Sequence, residues 1–378
     1  MNKIEWKKVK LGEVFTSIRN GANIKQYDDA GGIPITRIET LSNDTFNRDR
    51  LGYANIIDSN KYSDFLLEDE DILMSHINSL KYLGRAVLYK KQNDETIIHG
   101  MNLLRLKPNK EVLISSYITH YFTSNQFKGH IGKIAKKSVN QASFSISDLK
   151  EIKVQLPSLL NQRHIATTLD KANELIALRK KQLEELDALA ESVFYELFGD
   201  PVRNEKRWVK KKWKEVFNTK TGKLDSNAMC PEGKYPFFTC AKEIYQIDNY
   251  AFDCEALLLA GNNATANYDV KYYKGKFNAY QRTYVLTLLD KNYSYSIFKI
   301  QLESKLDLLK EQSIGANTKY LTLKILEQLD FICPPLPLQT RFSTIIEKIE
   351  EQKALVRKAL KDSEDLFGRL MQEMFGEG

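Results

Sequence analysis

Two long stretches of this chain follow one hydrophobic rhythm. From Ile165, apolar side chains recur at Leu169, Ala172, Ile176, Leu183, Leu186, Ala190, Val193 and Leu197, in steps alternating four and three, with only Arg179 missing from the series. The second stretch runs Phe342, Ile346, Ile349, Val356, Leu360, Phe367, Leu370 and Met374, broken by Lys353 and Ser363. Heptads sustained this long predict coiled-coil helices, each of about 36 residues and ~54 Å. Each stripe needs a cover, and the economical partner of each is the other. The alternative is that each packs on its own globular neighbour.

Outside the helices the period shortens. IPITRI at 33–38, DILMSHI at 71–77, RAVLY at 85–89 and NLLRLKP at 102–108 read as short strands between Gly, Asn and Asp turns. A helical stretch follows from Ser115. The later part repeats the mixture, with YPFFTC at 235–240, ALLLAG at 256–261, TYVLTLL at 283–289 and a helical stretch near 296–312. The expected fold is α+β, with two globular domains of mixed strands and helices separated by a pair of long antiparallel helices. The expected boundaries are 1–156 for the first domain, 157–200 for the first helix, 201–332 for the second domain and 333–378 for the second helix.

The two halves are related. Residues 138–200 lie on 315–377 without a gap, and 16 of the 63 paired positions are identical, among them Asn140/Asn317, Pro157/Pro334, Gln162/Gln339 and Phe198/Phe375. The opening run WKKVKLGEVF at Trp6 likewise matches WVKKKWKEVF at Trp208, now at an offset of 202 instead of 177, so the first half carries 25 more residues between its matching ends. An internal repeat of this order predicts a pseudo-twofold frame. The dissimilar interiors predict two different specificities on one scaffold.

Composition adds a direction. Of 378 residues, 28% are charged and 42% apolar, an ordinary globular balance, while the net charge of +7 and pI near 8.9 favour an anionic partner. The charged opening MNKIEWKKVKLGEVF does not read as a secretory leader, and no apolar window reaches the ~20 residues of a membrane span. Cys230, Cys240, Cys254 and Cys333 lack ligand spacing, which fits buried thiols in a reducing cytoplasm rather than zinc.

A search for catalysis finds none of the usual arrangements. The five histidines show no HExxH spacing, and phosphate loops, dinucleotide fingerprints and nucleophile elbows are missing. Polar and basic side chains interleaved with aromatics appear instead. In GNNATANYDVKYYKGKFNAYQRTYVL, from Gly261, Asn262, Asn263 and Gln281 offer paired donors and acceptors to base edges, while Lys274 and Arg282 suit phosphates or guanine. A solvated hairpin with a basic face is the alternative. The first half offers Thr36, Arg37, Ser75, His76 and Lys81, although a lone histidine such as His76 is more often a satisfied structural one. Two basic turns also coincide in the repeat, one carrying Lys136, Lys137 and Asn140, the other Asn317 and Lys319. They suit positioning on a nucleic-acid backbone, although a left-handed turn explains the asparagines equally.

The WKxVxLGEVF-like entries, the junctions LPSLLNQRHIATTLD and PPLPLQTRFSTIIEK, the FGD and FGE helix ends and the run GKFNAYQRTYV resemble the specificity subunits of type I restriction-modification systems. The likeness covers nearly the whole chain. It implies two target-recognition domains, each reading half of a split site in double-stranded DNA, with the helix pair as a spacer. It further implies docking of two methyltransferase subunits and of restriction (translocase-nuclease) subunits. S-adenosylmethionine, ATP and Mg would then belong to those partners, and this chain would carry no cofactor, metal or catalytic residue. Unequal domains imply an asymmetric target, and helices of ~54 Å limit the half-site gap to about sixteen base pairs. Two other readings stay open: a recognition subunit whose partner both methylates and cleaves, and a coiled-coil adaptor unrelated to DNA.

Overall fold

A computed structural model of the chain describes residues 6–28, 31–42, 44–139 and 141–376. It resolves into two compact units: Met1–Arg179 with Ala359–Gly378, and Lys180–Lys358. Each unit holds one globular domain and one stretch of each long helix.

In the first unit, four strands order as Phe15–Asn20, Leu103–Pro108, Ile72–Ser75 and Ala86–Leu88, all antiparallel. The alternation of the central strands divides their side chains. Met74, Leu104 and Leu106 face a core shared with Tyr117, Tyr121 and Phe127, while Leu73, Val87 and Leu103 close a second core with Tyr89. The helical stretch expected from Ser115 is two helices, Ser115–Thr123 and Asn125–Ile134. Ser124 separates them, its hydroxyl accepting from Phe127 N–H at 3.2 Å as an N-cap. The opening strand Lys7–Lys10 pairs with Lys153–Leu156, just before the first long helix.

The second domain repeats that closure with Val209–Lys212 against Asp330–Cys333. Its six-stranded sheet runs Phe217–Thr221, Thr283–Leu288, Phe252–Ala260, Val270–Ala279, Tyr235–Phe238 and Tyr245–Ile247. Leu257, Leu259 and Leu286 pack on one side with Phe298 and Phe331, and Leu258, Val285 and Phe277 on the other.

The long helices span Leu159–Phe198 and Leu336–Phe375, 40 residues each against the roughly 36 expected from the heptads. The extra turns lie at the ends, where capping rather than periodicity decides. At each entry the repeated glutamine closes the proline turn. Gln162 Nε2 donates to Pro157 O at 2.9 Å, and Gln339 Nε2 donates to Pro334 O at 2.7 Å. Beyond Phe198 the chain turns at Gly199 (φ +75°), and Lys206 Nζ donates to the carbonyls of Glu196 and Leu197. Trp208 Nε1 donates to Phe198 O at 2.8 Å, so the last carbonyls of the helix are satisfied.

The heptad stripes are the covered faces. Ile165, Leu169, Phe342, Ile349 and Val356 are buried, and Ile176, Leu183, Leu186, Val193, Ile346, Leu360 and Phe367 are half-buried. Within the first unit Arg179 Nε donates to Ser363 Oγ at 3.1 Å, and Ile165 and Leu169 share a core with Met374 and Phe375. Within the second, Lys353 Nζ lies 2.6 Å from Asp187, and Phe342 packs on Phe194 and Phe198. Numbers rise on one helix as they fall on the other in both units, so the stretches run antiparallel. Two polar breaks, Arg179 and Ser363, therefore meet each other across the seam, while the third, Lys353, meets Asp187. Burial alone would depress the Lys353 ammonium, but hydrogen bonds to Asp187 and Glu350 hold its pKa above the ordinary lysine value. The helix ends also join the domain cores, so both ways of covering a stripe are used.

One half-buried ionic hub has a measurable consequence. Glu95 accepts from Arg48 Nε and Nη2 at 2.9 and 2.6 Å, from Tyr89 Oη at 2.9 Å and from Gln92 N–H at 2.8 Å. Hydrogen bonds from Arg48, opposed by desolvation and aided by Gln92 and Tyr89, lower its pKa to about 2. A depressed carboxylate stabilises the fold above its ordinary range near 4.5 and loses that contribution as pH falls toward 2. Glu95→Gln is expected to cost about 2–3 kcal/mol at neutral pH and to flatten stability over that acid window, as measured by urea unfolding at stepped pH. An unchanged acid limb would contradict this.

Candidate nucleic-acid interface

Three loops of the second unit converge at Gly261. Its N–H donates to Arg282 O at 2.8 Å, and its carbonyl accepts from Leu321 N–H at 2.8 Å. A Cβ there would sit 2.3 Å from Arg282 O, so only glycine lets the strands close this tightly. Immediately beyond, Asn262–Asn263 pairs with Lys319–Tyr320 in the register Asn262↔Tyr320 and Asn263↔Lys319. Gln281 and Arg282 stand exposed at the adjoining turn, and Asn317 is exposed before Lys319. The fold thus gathers Asn262, Asn263, Gln281, Arg282, Asn317 and Lys319 from three separate segments. Asn263 builds the turn, its Oδ1 accepting from the N–H groups of Thr265 and Asn267 and from the Thr265 hydroxyl. Lys274 is exposed on the ribbon formed by Phe252–Ala260 and Val270–Ala279, 3.3 Å from Glu255.

The first unit assembles its candidates on a corresponding small sheet. Lys136–Lys137 pairs with Ala142–Ser143, which pairs in turn with Ile77–Asn78. Ile77–Asn78 follows the strand Ile72–Ser75 just as Asn262–Asn263 follows Phe252–Ala260. Lys81, Lys136 and Lys137 are exposed. Asn140 lies outside the described residues.

Four first-half candidates turn inward instead. Thr36 is 1% exposed and its hydroxyl accepts from Gly100 N–H at 2.9 Å. Arg37 is held by Asp28 at 2.5 Å and donates to Tyr27 O. Ser75 is 1% exposed and accepts from Asn78 Nδ2 at 3.2 Å. His76 is buried beside Phe144, and desolvation lowers its pKa, which keeps the ring neutral. Thr36, Ser75 and His76 are buried and the half-buried Arg37 is engaged by Asp28 and Tyr27, so none of the four stands with the exposed lysines.

Sequence reasoning passed over two tyrosines. Tyr82 and Tyr320 are each 37% exposed, and each directly follows a candidate lysine, Lys81 or Lys319. The Lys-Tyr pairing at both sites was the available signal. Among the described residues no group of three or more His, Cys, Asp or Glu could hold a metal ion, and no helix is long and apolar enough to cross a membrane.

The chain matches the family model described as "Type I restriction modification DNA specificity domain" over residues 3–188 and 205–362. It is 35% identical over 212 residues to the "Putative type I restriction enzyme MjaX specificity subunit" of Methanocaldococcus jannaschii, covering 56% of this chain and 50% of that protein. To the type I restriction enzyme EcoDI specificity subunit of Escherichia coli it is 36% identical over 146 residues, covering 37% and 31%. The matched segments thus span half or less of the length of these relatives. The crystal structure of the S subunit of a type I restriction-modification system from M. genitalium superposes with a TM-score of 0.64 at 17% identity, covering 100% of this chain and 98% of that one.

Proposed function

The chain belongs to the type I restriction-modification DNA specificity domain family, and from that premise we propose that it reads an asymmetric, two-part DNA sequence on behalf of partner enzymes. Each globular domain reads one half of the site. The observation that carries this reading is the placement of basic and amide side chains on corresponding small sheets in both units, Asn78 with Lys136 and Lys137 in one and Asn262 with Lys319 in the other. Lysines set the duplex in place through its phosphates, and the asparagines address base edges. The surroundings differ between units, so the two half-sites differ in sequence.

The long helices separate the two readers and dock the methyltransferase subunits. Leucines outside the inward stripes support docking, with Leu175, Leu178 and Leu366 exposed in the first unit and Leu189 and Leu355 in the second. Such side chains are the natural seat for helices of another subunit. At 40 residues a helix measures ~60 Å, which raises the limit on the gap to about eighteen base pairs. Methyl transfer, and cleavage where restriction subunits join, are the work of partners that bring S-adenosylmethionine, ATP and Mg. The complex acts in the cytoplasm, on chromosomal and incoming DNA.

Duplex binding by the chain with its methyltransferase tests this. Lys136→Ala with Lys137→Ala is expected to weaken binding alike for all sequences and to reduce the slope of log K against log salt by about 2. Equal affinity for all duplexes by the wild-type complex would contradict the reading.

A further inference from the structure

An exposed apolar point stands inside the basic surface of the first unit. The strands Ile72–Ser75 and Ala86–Leu88 form a hairpin whose tip includes Ile77–Asn78 and the turn 80–84. Leu80 is 48% exposed and Tyr82 37%, although the turn that holds them is tightly bonded. Tyr82 N–H donates to Ser79 O at 2.9 Å, Arg85 N–H to Tyr82 O at 3.2 Å and Gly84 N–H to Ser75 O at 2.8 Å. Gly84 adopts φ +78°, and Leu83 anchors the turn in the core. The Arg85 guanidinium lies 4.5 Å from the centroid of the Tyr82 ring, and Lys81 Nζ lies 5.3 Å from it on this short turn. Leu80 is therefore left half in solvent on a fixed turn, and the Tyr82 ring, covered by Arg85 and Lys81, keeps 37% of its surface exposed beside it.

We propose that Leu80 and Tyr82 form a wedge that enters the base stack of the half-site read by the first domain. This rests on the DNA-reading function proposed above and adds what the domain does to its DNA. Charge decides the occupant. No aspartate or glutamate occurs between Asp71 and Asp94, or between Glu111 and Asp148. The apolar tip is thus flanked by Lys81, Lys136 and Lys137, while Asp44, which reaches it from another segment, is paired with Arg85 at 3.2 Å. The register Ala142↔Asn78 also brings the turn at Ser138 and Val139, with Val139 98% exposed, to the same end of the small sheet as Leu80. An apolar point ringed by cations suits a duplex, whose interior is apolar and whose edges are anionic. In the second unit the corresponding turn is Ala264-Thr265-Ala266-Asn267, which carries no large apolar side chain. The exposed aromatic of the second unit, Tyr320, stands on a paired strand of its small sheet and not on this turn, so the wedge is assigned to the first half-site.

The test uses the chain in complex with its methyltransferase and duplexes bearing the site mapped by methylation. 2-Aminopurine is placed in turn within and beside each half-site, leaving out the methylated adenines, which the partner extrudes. Wild type is expected to raise fluorescence at one step in one half-site. Leu80→Ala with Tyr82→Ala abolishes that rise and weakens binding about tenfold, while Tyr82→Phe retains it. Both side chains are exposed, so the variant keeps its fold, which circular dichroism checks. Fluorescence that persists in the double variant, or is absent from a wild-type complex bound with sequence preference, overturns the wedge and leaves the DNA-reading function standing. Loss of the methyltransferase from the double variant, with fluorescence unaltered in what remains, assigns the point to a protein partner and overturns the wedge as well. Wild-type binding without sequence preference brings down the underlying function and the wedge with it.

Discussion

Phe198→Ala is expected to destabilise the second unit by about 3–5 kcal/mol. Phe198 is fully buried, 5.2 Å from Phe194 and 5.4 Å from Phe342 between ring centroids, with Phe194 and Phe342 a further 5.8 Å apart. All three contacts are edge-to-face, a geometry that adds to simple area burial. Ile297 and Ile332 complete the cluster, so the ring fastens the end of one helix, the start of the other and the domain at once. Truncation leaves a cavity that the rigid helix pair cannot collapse into. Chemical unfolding of the purified chain measures the effect, and a loss below about 1 kcal/mol would show that this cluster does not hold the unit together.

Asn262→Ala combined with Lys319→Ala should relax sequence preference at one or two base pairs in one half of the target. Discrimination there is expected to fall about 10- to 100-fold, the worth of a bidentate base contact. The other half should be read as before, because Lys136, Lys137 and Asn78 belong to the other unit. Competition among duplexes varied one base pair at a time measures this. A uniform loss across both halves would mean that the two residues only position the DNA, or that the fold has been damaged. Methylation patterns in vivo separate those two cases.

The long helices were legible because their signal is redundant. Ten positions of one stripe, Phe342 through Met374, including Lys353 and Ser363, all fall on the covered face, and no single error moves a heptad. The polar breaks were visible as breaks, but their partners were not. That Arg179 meets Ser363 and Lys353 meets Asp187 depends on the register of the pair, which neither helix specifies alone. Strand residues carry less information. A short run such as IPITRI fixes a strand only at Pro34–Ile35, and a one-residue slip exchanges its two faces. Thr36 and Arg37 follow that strand directly, and their side chains are engaged by Gly100, Asp28 and Tyr27.

The candidate surface was half legible for a related reason. Asn262, Gln281 and Lys319 were singled out by residue type, from three segments whose convergence at Gly261 no local pattern reveals. His76 illustrates the converse: it takes the structural role more usual for a lone histidine and packs against Phe144. Tyr82 lies in a turn and Tyr320 on a two-residue strand, and no sequence period decides the exposure of either. Their exposure appears only once the strands around them are placed.

The central claim is that one chain carries two different readers of a single split site. Methylation mapping tests it most directly. The chain is co-expressed with its neighbouring methyltransferase in a host lacking other DNA methylation, and genomic DNA is sequenced for modified adenine. The account predicts one asymmetric motif in two parts, separated by a fixed gap of no more than about eighteen base pairs. A single uninterrupted motif, or a palindrome, would contradict the two-reader account, and so would the absence of any motif with the methyltransferase present and folded.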